Sequence, residues 1–65
     1  MIKIVIEDLI RDKGLHKSYV AKQIGVSNDT LTNWMKNRSW PKLNQAVHLA
    51  DILQCEVTDL YERID

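Results

Sequence analysis

The stretch "YVAKQIGVSNDTLTNW", residues 19–34, limits the possible folds more than any other part of the chain. Val20, Ala21 and Ile24 recur at helical spacing, and Gly25 ends the run. Only Val26 and Ser27 separate it from a second polar and apolar pattern in which Leu31, Trp34 and Met35 repeat the helical period. Such a break demands a turn with positive φ, which a β-carbon resists and glycine tolerates. Ser27 carries the short oxygen-bearing side chain that accepts from a free backbone N–H in a first helical turn. Val26 before that cap and Leu31 after it form the pattern of a hydrophobic staple, which fixes the angle at which chain leads into helix. The same pattern stands one helix earlier, with Leu15, His16 as a candidate cap, and Val20. The small side chain of Ala21 lets its helix pass close to a neighbour.

Two stapled starts separated by a glycine turn hold two helices at a steep angle, the arrangement of a helix-turn-helix. Around it, Ile6, Leu9 and Ile10 predict a first helix ended by Gly14, with Leu15 folding back onto Ile10. The preceding "MIKIVI" fits either a strand, by its alternation, or the ragged start of that helix. The third helix ends near Asn37, a residue type that tolerates the left-handed conformation. "RSWPK" is a loop. Pro41 bars a helix just before it, and Leu43, Ala46, Leu49, Ala50 and Leu53 mark a fourth helix. Val57, Leu60 and Tyr61 predict a final short turn or two. The expected fold is all-α, a compact bundle of about five short helices around the helix-turn-helix, with the second helix at about 17–24 and the third at about 28–36. Sixty-five residues make one domain (1–65), near the lower limit at which a chain buries a stabilising core.

Net charge is zero, yet its distribution is uneven. Residues 13–42 carry Lys13, Lys17, Lys22, Lys36, Arg38 and Lys42 against Asp29 alone, a net +5. Residues 43–65 carry Arg63 against Asp51, Glu56, Asp59, Glu62 and Asp65, a net −4. A basic middle and an acidic end point to a polyanionic partner more than the total does. One cysteine, Cys55, precludes an internal disulfide. No apolar run is long enough to span a membrane, and a cytoplasmic location is expected. Catalysis finds little support: His16 and His48 have no carboxylate pair at an obvious shared site, and no glycine-rich phosphate loop is present. His48 and Cys55, seven residues apart, are two ligands short of a zinc site. No enzyme activity, cofactor or metal is expected.

The string Lys17–x3–Ala21–x3–Gly25–Val26–Ser27–x3–Leu31–x2–Trp34 resembles the helix-turn-helix of the lambda-repressor-like (Xre/Cro) regulators of bacteria and phages. "WPKLNQAVHLADIL" and "CEVTDLYE" are similar to that family's fourth and fifth helices, so the resemblance runs from about residue 5 to 62. Two departures stand out. Lys17 replaces a frequent Gln, and Met35-Lys36-Asn37 replaces a frequent Glu-x-Gly. The resemblance implies sequence-specific binding of double-stranded DNA by a transcriptional regulator, a repressor, of bacterial, phage or mobile-element origin. Its third helix would be the recognition helix.

The physical chemistry beside the resemblance agrees. A helix of about ten residues fits the major groove, with its N-terminal polar side chains at base edges. Ser27, Asn28, Asp29, Thr30, Thr32 and Asn33 are the candidate base readers. Asn28 and Asn33 match adenine, Asp29 matches the cytosine amino group, and Thr30 or Thr32 can set a methyl against thymine. Lys17, Ser18, Lys36 and Arg38 are the candidate phosphate contacts, joined by the free N–H groups at the start of the second helix. Plainer roles compete. Asp29 suits the helix dipole whatever it binds, and its carboxylate repels phosphate. Asn28 and Asn33 have no such structural reason, since Asn is a poor helix former. Trp34 is expected in the core, Trp40 as a lid beside the fourth helix, and Tyr19 as either a rim residue or a phosphate donor.

A different class of function uses similar domains: a protein-interaction module such as an antitoxin or anti-repressor, working through "MIKIVI", Tyr61 and Ile64. The DNA-binding expectation includes a homodimer, at least on DNA, because one such domain contacts few base pairs.

Overall fold

The computed structural model describes residues 1–64. Strand β1 (Ile2–Ile4) leads into α1 (Ile6–Asp12), α2 (Lys17–Ile24), α3 (Asn28–Met35) and α4 (Leu43–Leu53). A 3-10 turn (Val57–Leu60) and strand β2 (Tyr61–Arg63) follow. The molecule is thus mostly helical, and the expectation of five helices in an all-α bundle is corrected at both ends. "CEVTDLYE" makes a single 3-10 turn in place of a fifth helix. Its last residues leave the helical path at Tyr61, whose backbone is extended (φ −146°, ψ 159°). β2 pairs antiparallel with β1, with Ile2 opposite Arg63, Lys3 opposite Glu62 and Ile4 opposite Tyr61. The strand alternative for "MIKIVI" therefore holds for Ile2–Ile4, and helix begins only at Ile6. Pairing satisfies backbone groups that a three-residue segment on its own could not satisfy.

All four helices stop in the same way. Within two residues of each end stands a left-handed backbone: Gly14 (φ 69°), Gly25 (φ 87°), Asn37 (φ 60°) and Gln54 (φ 54°). The next N–H then reaches back five residues, from Leu15 to Ile10, Val26 to Ala21, Arg38 to Asn33 and Cys55 to Ala50. These bonds close carbonyls that a helix end otherwise leaves open. Leu15 folds back onto Ile10 as the sequence predicts.

The helices bury one stripe each. Ile6 and Ile10 come from α1, Val20 and Ala21 from α2, Leu31 and Trp34 from α3, and Leu49, Ala50 and Leu53 from α4. Ile4 of β1 and Leu60 of the 3-10 turn close the cluster. No polar or charged side chain among the described residues is buried. Each fully buried Leu or Ile contributes roughly 1.5–3 kcal/mol, so this small centre depends on every member. Trp40 lines an apolar cleft of about 280 Å3 with Ile2, Pro41, Leu43 and Tyr61, beside the start of α4 as expected of a lid. It nonetheless stays half exposed. No helix among the described residues is long and apolar enough to cross a membrane.

Candidate nucleic-acid interface

The interface is built from the break between α2 and α3. Gly25 takes the left-handed position, and its N–H and that of Val26 both donate to the Ala21 carbonyl, at 2.9 and 3.0 Å. That bifurcated acceptor ends α2 within two residues. Extended Ser27 (φ −74°, ψ 160°) then starts α3, and its hydroxyl oxygen accepts from the Thr30 N–H at 3.1 Å. Ser27 is the predicted cap. His16 holds the equivalent position at α2 with extended backbone, but its imidazole makes no capping hydrogen bond, so the reading of His16 as a cap extends only to backbone position. Ala21 is almost fully buried, consistent with a residue over which a neighbouring helix passes closely.

Placed on this frame, the candidate readers divide by their partners. Asn28 and Asp29 are exposed on the first turn of α3. Ser27 and Thr30 are occupied with each other: besides the capping bond, their hydroxyl oxygens lie 3.0 Å apart, and Thr30 is half-buried. Thr32 is half-buried and accepts from the Lys17 ammonium at 2.8 Å. Asn33 is half-buried, and its carboxamide has no hydrogen-bond partner among the described residues. An amide in that condition retains its full donor and acceptor capacity for a base edge.

The candidate phosphate contacts flank this row. Lys17 and Ser18 are exposed in the first turn of α2, and the Lys17–Thr32 bond brings that turn against the middle of α3. Lys36 caps the far end of α3, and Arg38 follows one residue beyond Asn37; both are exposed. None of these four cations and hydroxyls is tied to a carboxylate among the described residues, whose ion pairs join Arg11 to Asp8 and Asp12. Cations free of carboxylates beside the middle and at the far end of a row of amides and hydroxyls make an anion-attracting rim around a polar surface. Tyr19 and Lys22, also on α2, are exposed.

Two features of the site are not evident from sequence. The hydroxyl partnership of Ser27 and Thr30 follows the spacing of a cap, and that spacing could have disclosed it. The other is Asn37, whose carboxamide binds the backbone of Ile4, 33 residues away. Nothing local in the sequence signals it.

Comparison with known proteins agrees with this geometry. A chain from Bacteroides fragilis, described as a candidate DNA-binding protein, superposes with a TM-score of 0.90 at 27% identity, covering 95% of this chain and 100% of that one. The P22 c2 repressor protein, solved with a synthetic operator, has a TM-score of 0.78 at 24% identity over 85% of this chain and 83% of its own. A transcriptional regulator from Listeria innocua has a TM-score of 0.80 at 18% identity; the match covers 92% of this chain and 56% of that longer one. The last two likenesses show a shared fold. No curated protein matches the sequence. The sequence profile of the Cro/C1-type HTH DNA-binding domain matches residues 5–65. With its glycine turn, capped third helix and near-complete profile coverage, the chain belongs to the Cro/C1-type helix-turn-helix DNA-binding domains.

Proposed function

We propose that the protein is a transcriptional regulator, acting as a repressor, which binds duplex DNA sequence-specifically with α3 in the major groove. The observation that carries the reading is the row Asn28, Asp29 and Asn33 on α3, whose side chains make no hydrogen bonds among the described residues, with Lys17 beside it and Lys36 at its end. Asn28 and Asn33 read adenine through its N6 and N7, and Asp29 accepts from a cytosine amino group. The Thr32 hydroxyl, accepting from the Lys17 ammonium, donates its own hydrogen to a base acceptor. Ser27 and Thr30 act first as the cap and reach DNA at the edge of the contact. Lys17, Ser18, Lys36 and Arg38 position the domain on phosphates. Two copies bind about one helical turn apart, since one α3 spans few base pairs. Repression needs no chemistry at the site: occupancy of an operator is enough.

Selection of bound sequences from random duplex DNA, repeated at low and moderate salt, tests this directly. One enriched motif is expected, with affinity falling steeply as salt rises, by a log–log slope of about −0.9 per phosphate neutralised. Absence of saturable binding to any duplex would overturn the reading and favour a protein-interaction module on the same fold.

A further inference from the structure

We infer that Asn37 is a positioning residue for sequence reading: its carboxamide grips β1 and thereby fixes the C-terminal end of the recognition helix. The inference rests on the DNA-reading role of α3 proposed above.

The Ile4 N–H donates to Asn37 Oδ1 at 2.7 Å, and Asn37 Nδ2 donates to the Ile4 carbonyl at 3.3 Å. The amide thus pairs with both backbone groups of one residue, as a neighbouring strand would. On its other edge β1 is held by β2 and the 3-10 turn, with Val5 donating to the Leu60 carbonyl at 2.9 Å. Ile4 itself is buried in the central cluster. The grip therefore reaches a fixed part of the molecule and not a loose end.

Ending α3 does not require this amide. Gly14 and Gly25 end α1 and α2 with the same left-handed backbone and no side chain at all. What an asparagine adds at 37 is the attachment to Ile4. α3 is consequently held at both ends, by the Gly25 turn and the Ser27 cap at one and by Asn37 at the other, with the Lys17–Thr32 bond between them. Eight residues of helix are about 12 Å long, so a tilt of about 5° about one end moves the other by about 1 Å. Base-edge hydrogen bonds tolerate only about 0.5 Å of such error before discrimination falls. Asn33, on the last turn of α3, is the reader nearest the Asn37 grip and the one whose placement depends on it most.

The test uses the Asn37→Gly variant, which keeps the left-handed backbone and removes the grip. Affinity for the wild-type selected site and for a scrambled duplex is measured in parallel, with amide exchange at Ile4 as a check that the grip is lost. The expected result is a ratio of specific to scrambled affinity at least about fivefold lower, with the scrambled affinity and its salt slope unchanged. A merely structural role would lower both affinities together. Asn37→Asp keeps the acceptor and turns a second oxygen toward the Ile4 carbonyl. Its carboxylate beside Lys36 and Arg38 should also weaken scrambled binding, so in that variant a fall in the affinity ratio alone carries the test if the glycine variant does not fold. Retention of the wild-type ratio by folded Asn37→Gly would overturn the positioning role alone. A wild-type protein that enriches no sequence would instead overturn the DNA-reading role, and the positioning role with it.

Discussion

Asn33 and Lys36 sit three residues apart, and the proposed function gives them different work. The Asn33 amide is half-buried and uncommitted, a state suited to a directional contact; the Lys36 ammonium is exposed, suited to a phosphate. Asn33→Ala is expected to cost roughly 1–3 kcal/mol on the selected site and to relax preference at one base pair. Lys36→Ala should weaken all sequences about equally and lower the salt slope by about one. Fluorescence polarisation against matched and mismatched duplexes separates the two, and identical behaviour would remove the division into readers and anchors. Cys55 shows a third environment. Burial, with the Asp59 carboxylate adding and Lys13 opposing, raises its thiol pKa above the ordinary value. A folded pKa above the unfolded one means that the protonated thiol contributes stability fully below the unfolded pKa and loses it as pH rises through the folded pKa. Iodoacetamide should therefore label native Cys55 more slowly than the urea-unfolded chain between about pH 7 and 9; faster native labelling by mass spectrometry would contradict this. Residue types of readers and anchors are legible in the sequence because each carries its chemistry with it. Their partners are not: the Lys17–Thr32 and Asn37–Ile4 bonds span 15 and 33 residues and depend on the finished packing.

Among the elements, the junction of α2 and α3 carries the most information for its length. A β-carbon added at Gly25 would meet nothing within 4 Å, so the whole cost of Gly25→Ala is the backbone's, about 1–2 kcal/mol for φ near 87°. Gly25→Asn should cost less, because its side chain tolerates the left-handed region. Ser27→Ala should cost about 1 kcal/mol by leaving the Thr30 N–H without its partner. Urea titrations followed by far-UV circular dichroism report all three, and a Gly25→Ala variant as stable as wild type would contradict the turn's role. Gly14, Gly25 and Asn37 are visible in the sequence as helix ends because these residue types favour positive φ. Gln54 does the same at the end of α4 without belonging to that group, so the ladder of Cys55 to Ala50 gives no warning. The strands are legible only in part: the alternation of "MIKIVI" offers β1 as one of two readings, whereas three residues are too few to mark β2, whose pairing partner lies near the opposite end of the sequence.

For the molecule as a whole, a chain of this length is stable by roughly 3–10 kcal/mol, at 0.05–0.15 kcal/mol per residue. Ile4→Ala removes buried volume from β1 where the sheet meets the helical core, and should cost about 2–5 kcal/mol, enough to lower the thermal midpoint sharply. A midpoint shift of only a degree or two would show that the sheet is an ornament on a self-sufficient bundle. The segregation of charge along the sequence survives into three dimensions around α3, beside which Lys17, Lys36 and Arg38 are exposed. The acidic segment meanwhile supplies the 3-10 turn and β2, with Asp59 accepting from the Glu56 N–H at 3.0 Å to start the turn.

The pairing of β1 with β2 also orders events during synthesis. The Ile64 N–H bonds the Met1 carbonyl at 3.0 Å, so nearly the first peptide unit made must wait for nearly the last described one. At about 5–20 residues per second, translation of this stretch takes roughly 3–13 s. Helices α1 to α4 can wind on the nascent chain in that interval, while isoleucine-rich β1 stays without its neighbour. The clasp between β1 and β2 thus closes only after residues 61–64 have emerged, later than any contact within the helical bundle.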